Sequence, residues 1–235
     1  MKKKKLTICL SYYNQKHALI KVVKDWVLYS DEVKEAFTFS IVDDCSYWRN
    51  AWEVLKDEVD LSSLDLHIYR VKKDLYCNIS GARNLAAREC NTEWMMILDV
   101  DTIMTKEVSE QVLAIINTPK ELSKDAYKFN RVRHKNGKPY EKPHPACCLI
   151  RTKDYWRVGG CNEDLVGKYG GTDADFWNKW AKAGLGVFTF KDIYLKHFEG
   201  GQAPGINRNF NKKRVHDALP KPPKYVRFPW EKIYP

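Results

Sequence analysis

The chain has 235 residues, 44% of them hydrophobic, and a formal charge of +10. That length suits one well-cored α/β domain and is short for two. No stretch approaches the roughly 20 consecutive apolar residues that span a bilayer, so the sequence predicts a soluble, cytoplasmic protein. Met1 and four lysines before Leu6 to Leu10 imitate a secretion signal, but the apolar run is too short and polar Ser11 to Lys16 follow. Seven cysteines without a CxxC pair argue against a structural zinc site and for reduced thiols. The positive charge admits an anionic nucleotide, an anionic membrane surface or nucleic acid, and does not choose among them.

In chain order, Leu6 to Leu10 reads as a buried strand, and the apolar run Leu19, Val22, Val23, Trp26 and Val27 as a helix. Phe37 to Val42 is a strand, Trp48 to Val59 has helical spacing, Leu66 to Val71 is a strand, Ile79 to Cys90 a helix, and Trp94 to Leu98 a strongly buried strand. Such alternation predicts a single Rossmann-like, mostly parallel central sheet flanked by helices. Beyond Pro119 the pattern loosens. Ala126 to Arg133 and Ala146 to Ile150 are strand-like, with a Lys/Pro/Gly loop between them. From about Gly200 the chain is basic and rich in proline, which predicts an extended tail packed on or beside the domain.

Ligands of open α/β sheets sit beyond the carboxyl ends of the strands. Here those ends carry Ser11 to Asn14, Asp43 to Ser46, and Asp99 to Asp101. The pair Asp99 and Asp101 closes a buried strand with two carboxylates one residue apart, the oxygen ligands that a hard divalent cation prefers. Ending a strand and capping a helix would use the same residues.

Taken in order, Leu6 to Asn14, Ile41-Val42-Asp43-Asp44-Cys45-Ser46, Gly81-Ala82-Arg83-Asn84 and Asp99-Val100-Asp101 resemble the signature of family 2 glycosyltransferases. The resemblance covers about Leu6 to Gly200 and implies a GT-A fold, with residues 1–104 binding the nucleotide-sugar, 105–200 serving acceptor and catalysis, and 201–235 as a basic extension. It implies that Ser11, Tyr13, Asp43 and Asp44 hold the nucleoside. A carboxylate accepting from a uracil N–H is sensible chemistry, and the sequence does not decide between Asp43 and Asp44. Arg83 falls near the donor diphosphate, with paired donors suited to phosphate oxygens. Asp74 matches a further acidic position, and Asn84 reads as structural.

A second block, Val158-Gly159-Gly160 followed by Tyr169-Gly170-Gly171-Thr172-Asp173-Ala174-Asp175-Phe176-Trp177, looks like the acceptor side of these enzymes. Phe176, Trp177 and Trp180 give a helix its apolar positions before Gly184 ends it. The resemblance makes Asp173 the catalytic base, with Asp175 as second choice, although Thr172 stands where related enzymes often have glutamate. His197 resembles the histidine that completes the metal shell with Asp99 and Asp101, for Mn²⁺ or Mg²⁺. His144 is a weaker candidate for acceptor or donor contact.

Together these imply an inverting, metal-dependent transfer from a nucleotide-sugar, foremost a UDP-sugar, to a hydroxyl of a glycan or lipid-linked acceptor. A nucleotidyltransferase would want a glycine-rich loop after the first strand, and Ser11-Tyr12-Tyr13-Asn14-Gln15 contains no glycine. A nucleic-acid binder could use the basic and aromatic tail, but it leaves the acidic motifs unexplained, so nucleic acid is not expected. The same tail could bring the enzyme to an anionic membrane surface.

Overall fold

Leu6–Tyr12 (β1) is the strand from which the rest of the sheet is laid out. It pairs in parallel with Phe37–Asp43 (β2) on one side and Trp94–Asp99 (β4) on the other. Leu66–Val71 (β3) extends the parallel core beyond β2. The computed structural model describes residues 3–118, 126–135, 138–167, 169–198 and 224–235, and the elements below are those of the described residues. Thr102–Ile103 (β5), Ala126–Lys135 (β6), Lys138–Arg151 (β7), Val187–His197 (β8) and Trp230–Tyr234 (β9) complete the order β5-β8-β6-β7-β4-β1-β2-β3-β9. Strands β2, β3, β4, β6 and β8 run with β1, while β5, β7 and β9 run against it. The sheet is therefore mostly parallel and flanked by helices, as the alternation predicts.

Period-two alternation distributes the side chains. Leu6, Ile8, Leu10, Trp94, Met96 and Leu98 face one core, with Leu19, Val22 and Trp26 from Lys16–Val27 (α1). Cys9, Met95 and Ile97 face the other. Asp31–Ala36 (α2), Ala51–Leu55 (α3), Ile79–Arg88 (α4), Lys106–Asn117 (α5), Thr152–Arg157 (α6) and Thr172–Lys182 (α7) complete the helices. Of these α4 and α7 close the second core through Ala82, Leu85, Phe176 and Trp180. Burial on both faces explains the near-continuous apolar runs of β1 and β4. No described helix is long and apolar enough to cross a membrane.

Two segments depart from the expected elements. The helix over Trp48 to Val59 shrinks to α3, because the Asn50–Glu53 capping box starts it only at Ala51. The loop expected before Pro145 is instead the first half of β7. Strand β7 meets β4 only from Cys148 onward, so Pro139, Pro143 and Pro145 precede the part of the strand that is paired on both sides.

The tail basic residues Arg208, Lys212, Lys213 and Arg214 lie outside the described residues. The last part of the chain adds β9 to the β3 edge and stacks Tyr234 on Trp52, 4.6 Å between ring centres. Phe228 is buried against α4 at Gly81, where an added methyl would collide with the Phe228 ring and with the Asn78 side chain that caps the helix. We expect Gly81→Ala to lose about 1–3 kcal/mol in urea unfolding despite a helix-propensity gain of about 1 kcal/mol. An unchanged midpoint would mean that this packing is not maintained in solution.

Candidate active site

Because β2 lies on one side of β1 and β4 on the other, the sheet order reverses at the β1–β4 pair, and a crevice opens there beyond the carboxyl ends. A cavity of about 350 Å³ occupies it, lined by Ser11, Tyr13, Asp44, Arg83, Asp99, Asp101 and Asp173 among others. Asn14, Cys45 and Tyr76, on the loops after β1, β2 and β3, all have positive φ, and only Val226 joins them among described non-glycine residues. Strained backbone thus concentrates at this mouth.

Asp43 and Asp44 separate here. The Asp43 carboxylate accepts from the Ser46 N–H at 2.7 Å and the Ala51 N–H at 2.7 Å, is fully buried, and does not line the cavity. Its carboxylate is engaged in the turn into α3. Asp44 lines the cavity, and one oxygen accepts from the Asn78 N–H at 2.6 Å while the other is buried without a protein partner among the described residues. Burial, helped by the nearby Asp43 and Asp74 and resisted by the Asn78 amide, raises its pKa from 3.8 to about 8. Asp74 is exposed and accepts from the Tyr76 N–H, away from the cavity wall.

At the other end Arg83 joins two carboxylates. Its Nη1 donates to Asp173 Oδ1 at 2.7 Å and its Nη2 to Asp99 Oδ1 at 3.1 Å. Burial opposes the guanidinium charge, but Asp173 and Asp99 outweigh it and hold the pKa above its ordinary value. Asp99 is pushed up to about 6, chiefly by burial, against the pull of Arg83. Helix α4, which carries Arg83, is fixed through Asn84. The Asn84 amide donates to Cys161 O and Glu163 Oε1 and accepts from the Tyr155 hydroxyl and the Cys161 N–H. Glu163 in turn accepts from the Val226 and Arg227 amides.

Gly170 and Gly171, at φ 91° and 90°, make the left-handed turn that starts α7 at Thr172. The Asp173 carboxylate is not spent on capping and reaches Arg83. Asp175 does not line the cavity. It pairs with Lys179 at 3.3 Å, so of the two candidate bases only Asp173 enters the crevice.

Asp101 Oδ1 lies 3.7 Å from His197 Nδ1, and the Phe198 N–H donates to the Asp101 carbonyl, tying the end of β8 to this turn. His144 supports Asp101 indirectly. Its Nδ1 accepts from the Ala146 and Cys147 amides, and its Nε2 lies 3.2 Å from Thr102 Oγ1 and 3.3 Å from Arg131 Nη1. Thr102 donates to Asp101 Oδ1 at 3.2 Å. Asp99, His144 and Cys147 also bring potential ligand atoms within 4.8 Å of one another. In that trio both His144 nitrogens already face protein groups, and burial pushes the Cys147 thiol up. Asp101 reaches His197, and Asp99 and Asp101 both line the cavity, but the ligand atoms of Asp99, Asp101 and His197 are not among those gathered within 4.8 Å of one another.

Comparison with known families gives glycosyl transferase family 2, matched over residues 7–168. The chain belongs to this family. Among solved structures it is similar to Staphylococcus aureus TarS 1–349 in complex with UDP, at TM-score 0.63 and 16% identity, over 82% of this chain and 60% of that one. The same TarS fragment with UDP-GlcNAc matches at TM-score 0.62 and 16% identity, over 86% of this chain and 61% of that one. A Pyrobaculum calidifontis mannosyltransferase, PcManGT, with GDP-Man and Mn²⁺ matches at TM-score 0.62 and 15% identity, over 86% and 59%. This family 2 chain therefore spans about 60% of the length of these neighbours. No curated protein matches it.

Cys77, Gln15 and Tyr169 also line the family 2 crevice and were not singled out by the sequence. Tyr169 had the one available signal, its place before the glycine pair. Cys77 precedes Asn78, whose side chain accepts from the Gly81 N–H to cap α4.

Proposed function

We propose that the protein transfers a sugar from a nucleoside diphosphate donor, a UDP-sugar foremost, to an acceptor hydroxyl, with inversion at the anomeric carbon. The observation that carries this reading is Arg83, which holds Asp99 and Asp173 on one guanidinium inside a cavity that also contains Asp44. Asp44 offers its unpartnered oxygen to the imide N–H of uracil. Arg83 turns its paired donors toward the diphosphate. Asp173, released from Arg83 as the phosphates arrive, accepts the proton of the attacking hydroxyl. Ile79, Ala82 and Val100 give the same cavity part of its apolar wall. Asp99, Asp101 and His197 would hold Mn²⁺ or Mg²⁺, which offsets the charge growing on the departing diphosphate when bound. His144 and Thr102 orient Asp101 for that purpose.

Calorimetric titration of UDP, GDP and dTDP, with Mn²⁺ and then with EDTA, tests the reading. UDP binding that needs the metal and disappears in Asp101→Ala supports it, and no binding of any of the three sinks it. The pH dependence is specific. The Asn78 amide occupies one Asp44 oxygen, so in the neutral acid the free oxygen carries the proton and donates rather than accepts; with a pKa raised to about 8, UDP affinity rises from pH 6 to pH 8, by up to about tenfold per unit. In Asp44→Asn that slope is absent. A wild-type affinity independent of pH over this range would remove Asp44 from the uracil site.

A further inference from the structure

Beyond Asp173 the site continues along α7. Trp177 lies four residues after Asp173, so the two side chains leave the helix on one face. The indole N–H is fixed by the Pro145 carbonyl at 2.8 Å. Lys128 on β6, opposite Cys148 in the strand pairing, rises beneath this face and places its ammonium 4.0 Å from the centre of the Trp177 ring.

Among the described residues this ammonium is given an aromatic face but no hydrogen-bond acceptor and no carboxylate. The other cations nearby are provided for. Arg83 holds Asp99 and Asp173, and Lys179 holds Asp175 and the Gly160 carbonyl. A half-buried ammonium has lost part of its water, and a π face replaces only some of that solvation. Burial accordingly lowers the Lys128 pKa, while Cys148 and Asp173 act to restore it. Lys128 is also outside the donor cavity, whose wall ends on α7 at Thr172 and Asp173. An anion that reaches Lys128 is therefore separate from a donor held in that cavity.

We propose that Lys128, seated on Trp177, binds an anionic group of the acceptor, a phosphate or a carboxylate, beside the hydroxyl that Asp173 deprotonates. This rests on the reading of Asp173 as the base. It narrows the acceptor to an anionic glycan or polyol and makes Lys128 a specificity-determining residue.

Ligand-observed NMR titrations test it, with glycerol 3-phosphate and D-glucuronate as anionic probes and glycerol and D-glucose as neutral ones. UDP is present throughout to occupy the donor crevice. At least one anionic probe is expected to bind about tenfold more tightly than its neutral counterpart, the worth of one charge-assisted contact. Lys128→Met should abolish that difference, and Lys128→Arg should keep most of it. Preference for glycerol 3-phosphate assigns a phosphate-bearing acceptor, and preference for glucuronate a uronic acid. Equal binding of all four probes, or a preference that survives Lys128→Met, overturns the proposal. UDP release from UDP-sugars is measured alongside. Its absence with the anion preference intact refutes the transferase reading and leaves Lys128 an anion site without an acceptor role, whereas turnover without anion preference refutes this proposal alone.

Discussion

Asp173→Asn is expected to lower kcat by about 10³-fold, within the range for a positioned general base, and to leave nucleotide affinity nearly unchanged. The substitution is close to isosteric. Asparagine can keep its Oδ1 as the acceptor for Arg83 Nη1, now 2.7 Å away, so the guanidinium stays directed into the crevice. What is lost is the ability to take a proton. Asp175→Asn is the matched control, since its carboxylate is turned to Lys179, and turnover should fall less than about threefold, within the small effect of a surface ion pair. The measurement is release of nucleoside diphosphate in the steady state, with affinity read separately by calorimetry. Retention of more than a tenth of wild-type kcat in Asp173→Asn, or a larger loss in Asp175→Asn, would move the base elsewhere.

Residues fixed by one strand and its exit were legible in the sequence. A buried run that ends in Asp99-Val100-Asp101 can only place those carboxylates at the sheet's carboxyl edge, and two glycines before Thr172 require the turn that aims Asp173. Choices made by the backbone after the strand were not legible. Asp43 and Asp44 follow the same β2, and only the positive φ at Cys45 and the amides of Ser46, Ala51 and Asn78 decide which one keeps an oxygen for the cavity. Long-range pairings were equally hidden. Lys128 meets Trp177 across 49 positions, and no local pattern announces a lysine under a helix. In β7 the prolines argued for a loop, because nothing in the sequence says that β4 covers only its last four residues.

The second large effect falls on Arg83. Arg83→Met removes a cation that is almost wholly buried and leaves Asp99 and Asp173 facing each other without it. Loss of one partner from a buried pair costs about 3–5 kcal/mol, and about 2 kcal/mol is expected here at pH 8, because both carboxylates are about one-third exposed and water screens part of the repulsion. The pH dependence has a definite sign. Asp99 already has a folded-state pKa of about 6, above its ordinary 3.8, so its ionisation works against folding above pH 6 and that penalty fades as pH falls toward 4. Arg83 is the group that pulls this pKa down. Its removal raises the pKa further, so the deficit of Arg83→Met should be greatest above pH 7 and should shrink by pH 5. Urea unfolding of both proteins at pH 5 and pH 8 measures it. Nucleotide affinity should fall about tenfold or more in the same variant, the loss expected for a paired contact to phosphate. An equal stability loss at both pH values would mean that Arg83 acts by packing alone, and unchanged affinity would mean that it never reaches the diphosphate.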